Sequence, residues 1–189
     1  MSINFKDIAL VTAIIPLLAG CSSSKKVAIP APIPVENIKL FETYNTERDG
    51  KTLKGIITSE QIINDTAFNW YAANLKWFKA DSVTVQEMRN KIGKNHYTIF
   101  AGTWCEDSHN ILPKYLTLLK AANIPESDIT LIAVDRNKTT IGGLEKAFGV
   151  TNVPTLILRQ SSNEIGRIIE YGASSMPEKE LLELLKKTP

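Results

Sequence analysis

The chain has 189 residues, 43% of them apolar and 22% charged, with a formal net charge of +2. That composition is ordinary for a globular protein and argues against a disordered or fibrous one; the basic pairs Lys25-Lys26 and Lys186-Lys187 have no interleaved aromatics, so no nucleic-acid partner is expected. Two cysteines, Cys21 and Cys105, are too few for a disulfide framework, and two histidines without clustered spacing predict no metal site and no cofactor.

Ile8 to Gly20 is a 13-residue apolar stretch preceded by Lys6. It falls short of the ~20 residues of a membrane span and matches the apolar part of a secretory leader. It ends in Leu18-Ala19-Gly20-Cys21, which resembles the bacterial lipobox: residues 1–20 would be the signal peptide and Cys21 the lipidated mature terminus. An unprocessed apolar helix, or a Cys21–Cys105 disulfide, stays open at this point. Residues 21–50 read as a Ser/Pro-rich tether, with Ser22-Ser23-Ser24 followed by alternating proline from Val27 to Val35, which favours extended backbone. The expected location is the bacterial cell envelope, facing the periplasm and held to the membrane through Cys21, with Ser22 favouring the outer membrane over the inner.

Residues 51–94 read as a helical extension packed on the core. After a β-like stretch from Thr52 to Thr58, Phe68, Tyr71, Ala72, Leu75 and Phe78 recur at helical spacing within Thr66 to Lys79, with Asp65 as N-cap and Trp70 and Trp77 widening the face. A second helix is predicted over Ser82 to Ile92, stopping at Gly93.

Residues 95–189 alternate in a β-α-β-α-β-β-α order. The predicted elements are strand Tyr97 to Ala101, helix Cys105 to Ala122, strand Ile129 to Asp135, helix Gly143 to Phe148, strands Thr155 to Arg159 and Ile165 to Tyr171, and helix Pro177 to Lys187. The near-continuous apolar run of the second strand suits burial on both faces, with a helix crossing over from the first. Ser161-Ser162-Asn163 reads as a hairpin turn, and Ser175 with Glu178 as a capping box around Pro177. Cys105 therefore falls at a helix amino terminus, where free N–H groups and the helix dipole favour a thiolate.

The second half of the chain, Asn95 onward, resembles the thioredoxin superfamily. Trp104 and Cys105 after a strand, Pro113 within the following helix, and Val153-Pro154 before a later strand match the family pattern, as does Gly172. The resemblance implies an α/β chain with a thioredoxin-like three-layer α/β/α fold carrying a helical N-terminal extension. It implies a cis-proline at Pro154 beside the active sulfur, and a groove shaped by Trp104, Val153 and Pro154 for an extended substrate peptide. Two features depart from the pattern. Ser108 stands where the resolving cysteine would be, giving Cys-x-x-Ser, and Ile99 replaces the buried carboxylate of the preceding strand.

The expected function is monothiol thiol–disulfide exchange, with Cys105 as nucleophile and Ser108 as its hydrogen-bonding neighbour. The expected partner is a disulfide-containing envelope protein or a small thiol. The alternative is a non-catalytic module that binds an envelope protein or peptide. His109, four residues after Cys105, either stabilises the thiolate or is an exposed helix residue; Glu106 and Asp107 oppose a negative sulfur.

Overall fold

The computed structural model describes residues 39–188; the leader, Cys21 and most of the tether lie outside them. The first element, β1 (Phe41–Thr46), falls inside the stretch expected to be tether. It pairs antiparallel with β2 (Gly50–Ile57), so the folded part begins about ten residues earlier than the sequence reading places it. β1 is an edge strand whose residues alternate between exposed and half-exposed, so no apolar stripe announces it.

Three helices follow: α1 (Glu60–Ile63), α2 (Trp70–Leu75) and α3 (Ser82–Asn90). The long helix expected over residues 66–79 is instead a 3-10 turn at Thr66–Phe68 followed by the shorter α2. Asp65 does cap that turn, accepting the Ala67 N–H at 2.9 Å. Phe68 is buried, but Ala72 is exposed and Trp77, just past the helix end, is 86% exposed, so the aromatic face is narrower than its spacing suggests.

The remaining elements come in the predicted order: β3 (Asn95–Ala101), α4 (Glu106–Ala121), β4 (Ile129–Ala133), α5 (Leu144–Ala147), β5 (Thr155–Gln160), β6 (Asn163–Ile169) and α6 (Pro177–Lys186). All six strands form one sheet in the order β1-β2-β4-β3-β5-β6. β3 and β4 run parallel, joined by α4, while β5 and β6 are antiparallel additions and β2 lies antiparallel on the far side of β4. Pro177 opens α6 as expected, but the capping box does not form. Met176 holds the N-cap position without a side-chain bond, and Glu180 reaches back to the Ser174 hydroxyl at 2.8 Å.

Side chains alternate across β3 and divide the core in two. Tyr97, Ile99 and Ala101 face a large cluster with Met88 of α3, Ile111, Leu118 and Leu119 of α4, and Leu181 and Leu185 of α6. Phe100 faces a smaller cluster on the opposite side, with Ile132, Val134, Val150, Val153 and Ile157, covered in part by Leu144 and Phe148. The chain is thus a mixed α/β protein of helix, sheet and helix layers, the second helical layer being short.

Gly55 explains how β1 finds its place. Its φ of +108° is a conformation that side-chain-bearing residues rarely adopt, and a Cβ there would lie 2.2 Å from the Leu40 carbonyl oxygen and 2.7 Å from the Phe41 Cα. Gly55→Ala is expected to push the start of β1 off β2, costing about 1–3 kcal/mol. Hydrogen exchange should then show loss of protection in the hairpin while β3 and β5 stay protected.

Candidate functional site

Trp104 and Cys105 follow β3 through a tight turn, in which the Cys105 N–H bonds to the Gly102 carbonyl at 3.0 Å. Cys105 has extended backbone (φ −96°, ψ 122°) and is the N-cap of α4, its carbonyl accepting the His109 N–H at 2.9 Å. The thiol is free, and Cys105 as a residue is half-buried. Its Sγ donates to the Val153 carbonyl at 3.3 Å. Val153 is buried, and the Val153–Pro154 peptide bond is cis. Cys105, Trp104 and Val153, separated by about fifty residues of chain, therefore meet in the smaller apolar cluster.

Each neighbour of the sulfur is held by a separate contact. The Trp104 indole N–H donates to the Val134 carbonyl at 2.9 Å, which fixes the ring across the end of β4. Thr103, buried beneath it, accepts the Leu53 N–H at 3.1 Å and so ties β2 to the turn. On the proline side, Asn152 donates to Glu170 at 2.8 Å, and the Thr155 hydroxyl donates to the Asn152 carbonyl at 2.7 Å.

Ser108 is brought to the site but not to the sulfur. It is fully buried, and its hydroxyl oxygen accepts the Gly102 N–H at 3.1 Å. Its position one turn along α4 thus serves the strand–helix junction, and no bond joins it to Cys105 among the described residues. His109 is half-buried, not an exposed helix residue. Its Nε2 lies 2.7 Å from the Thr103 carbonyl, which can only accept, so this nitrogen carries the proton. Its ring stacks on Trp70, with centroids 4.2 Å apart and planes 14° off parallel. The N-terminal extension thus buttresses the first turn of α4 through Trp70.

Sequence reasoning missed Arg136 and Asp49. Arg136, just beyond the carboxyl end of β4, lies over the Trp104 ring with its guanidinium carbon 4.9 Å from the centroid. Its Nε donates to Asp49 Oδ2 at 2.8 Å, and its Nη2 also bonds Asp49, in the turn between β1 and β2. The Asp49 hydrogen bond holds the Arg136 pKa above its usual value, with a smaller contribution from the charge Cys105 would carry if ionised. The same pairing holds the Asp49 carboxyl below its usual range. The only signal for Arg136 in the sequence is its place after an inner strand, where open α/β sheets build sites. Next to it, Asp135 is bonded by Lys54 Nζ at 2.6 Å and by the Thr139 hydroxyl at 2.7 Å, which braces the loop from β2.

Among the described residues no group of three or more His, Cys, Asp or Glu side chains could hold a metal ion, and no helix is long and apolar enough to cross a membrane.

No family model and no curated protein sequence matches the chain. Solved structures similar to it include a thioredoxin from Fasciola hepatica (20% identity, 55% of this chain and 89% of that one, TM-score 0.38). Two others are the germline thioredoxin Deadhead of a fruit fly (15%, 55% and 90%, 0.38) and PA1234, a protein of unknown function from Pseudomonas aeruginosa (16%, 69% and 84%, 0.43). At such identities and scores the fold stands on the chain's own topology. A helix that crosses between the parallel strands β3 and β4, two antiparallel strands beyond them, and Cys105 at the helix head facing Val153-Pro154 make this a thioredoxin-like fold.

Proposed function

We propose that the protein performs monothiol thiol–disulfide exchange in the bacterial envelope, with Cys105 as the attacking sulfur. The observation that carries this reading is the Sγ of the half-buried Cys105 at the head of a 16-residue helix, 3.3 Å from the carbonyl of the residue preceding a cis-proline. In that setting α4 offers unpaired first-turn N–H groups and the positive end of its dipole to the thiolate.

The reaction needs no cofactor. The Cys105 thiolate attacks one sulfur of a substrate disulfide, forms the mixed disulfide and releases the other sulfur as a thiolate, which takes a proton from water. With serine at position 108, a second thiol from solution or from a partner then attacks the substrate sulfur of the mixed disulfide and returns Cys105 as a thiolate. Trp104 and Val153-Pro154 would shape the groove for an extended segment of a disulfide-containing envelope protein or for a small thiol. Lipidation at Cys21 would hold the domain at the membrane, periplasm-facing and at the outer rather than the inner membrane.

Non-reducing gels of cells treated with a thiol-blocking agent test the proposal. The wild-type chain should form mixed disulfides that reduction removes, and Cys105→Ala should form none. Adducts of equal abundance in the two would overturn exchange at Cys105. The competing reading, a non-catalytic binding module, is favoured by one observation. Position 108 carries no second thiol, and its buried hydroxyl is spent on the Gly102 N–H, so the site itself cannot release a mixed disulfide. In that case binding of an envelope peptide would survive Cys105→Ala unchanged.

A further inference from the structure

We propose that Arg136, pinned on Trp104 by Asp49, is a positioning residue that stabilises the Cys105 thiolate, and that the β1–β2 hairpin is thereby part of the reactive site. The inference rests on Cys105 being the reacting sulfur, but what it predicts can be read without any exchange reaction.

Three contacts converge from the hairpin on the loops around the sulfur. Leu53 N–H bonds the Thr103 hydroxyl, Lys54 holds Asp135, and Asp49 grips Arg136 through two nitrogens. The first two set the loops in place. The third delivers a charge. A free arginine side chain would sample many rotamers, but two bonds to Asp49 and the stack on the indole leave this one a narrow range. Trp104 is itself anchored to Val134, so the guanidinium is fixed relative to the residue next in the chain, Cys105.

The charges around the sulfur give Arg136 its importance. Glu106 and Asp107 lie in the first turn of α4, and Asp49 is bonded to Arg136. On the proline side Glu170 is engaged by Asn152, and the His109 Nε2 is committed to the Thr103 carbonyl. Among the described residues Arg136 is a cation held on the ring next in the chain to Cys105, where its charge would counter the two carboxylates of the first turn. Its effect is moderate because its side chain is 40% exposed and shared with Asp49.

The test is the pH profile of iodoacetamide alkylation in the full chain, read by mass spectrometry on the peptide holding Cys105 so that Cys21 does not contribute. Removing the positive charge should raise the thiol's midpoint. Arg136→Gln is expected to shift it up by about half to one pH unit, slowing alkylation about three- to tenfold near neutral pH. Arg136→Lys should restore most of the rate, because it keeps the charge while losing the planar grip. Superimposable profiles for wild type and Arg136→Gln overturn the proposal, and so do equal shifts in the Gln and Lys variants, which would mark a purely structural role. If the profile moves with charge but no disulfide adduct ever forms on Cys105, the thiolate role stands and the exchange function alone falls.

Discussion

Ser108→Cys is expected to turn the monothiol site into a dithiol one. In the wild-type chain a mixed disulfide on Cys105 waits for an external thiol. A cysteine at position 108 restores Cys-x-x-Cys spacing, and it attacks by turning from the Gly102 N–H that Ser108 bonds toward the neighbouring sulfur. Intramolecular attack proceeds at an effective concentration far above that of millimolar external thiols. Adducts trapped on Cys105 should therefore fall about 100-fold or more, and dithiothreitol-driven reduction of insulin, measured by turbidity, should rise by a similar factor. The substitution also removes the oxygen that accepts the buried Gly102 N–H, so some stability is lost. Ser108→Ala separates the two effects. It should cost about 1–3 kcal/mol for the orphaned N–H, yet leave single-turnover attack by Cys105 intact. If Ser108→Cys neither forms an internal disulfide nor clears the adducts, position 108 is not in the register of a resolving thiol.

That prediction also shows what a sequence can convey here. The strand–helix junction and the register that puts Cys105 at its head follow from short local signals, whereas the place of Pro154 beside the sulfur comes only from the resemblance to the thioredoxin superfamily. Apolar alternation, a turn and a proline are each readable within a few residues. Ser108 illustrates the limit. Its position could be read, but whether its hydroxyl faces the sulfur or the strand end depends on which backbone N–H the turn leaves unpaired, and Gly102 supplies that donor. His109 shows the same limit, since its neighbour Trp70 comes from an element 39 positions away. Arg136 and Asp49 were hidden for a further reason. They meet only because β2 joins the sheet beside β4, and an edge hairpin with one poorly buried strand leaves little apolar pattern to read.

Gly102→Ala should have a large effect on both stability and the site, through the Trp104 ring. A Cβ at position 102 would lie 2.7 Å from Cε2 of Trp104, 2.9 Å from Nε1 and 3.1 Å from Cζ2. The ring cannot retreat cheaply. Moving it breaks the 2.9 Å bond to the Val134 carbonyl, unstacks Arg136 and opens the smaller apolar cluster. The expected cost is about 2–4 kcal/mol, summing overpacking and one buried bond, or a fall in Tm of about 5–12 °C for a domain of this size. The Trp104 indole N–H resonance should shift, and Cys105 should alkylate more slowly near neutral pH as Arg136 loses its seat on the ring. Gly142→Ala supplies the contrast. Gly142 has φ +75° but nothing within 4 Å of its would-be Cβ, so alanine there strains only the backbone, at about 1 kcal/mol, and leaves the indole signal unchanged. If Gly102→Ala keeps the wild-type Tm and the wild-type indole resonance, the ring has room to shift. Trp104 would then be too loosely held to position Arg136, and the electrostatic role of the hairpin would lose its mechanical basis.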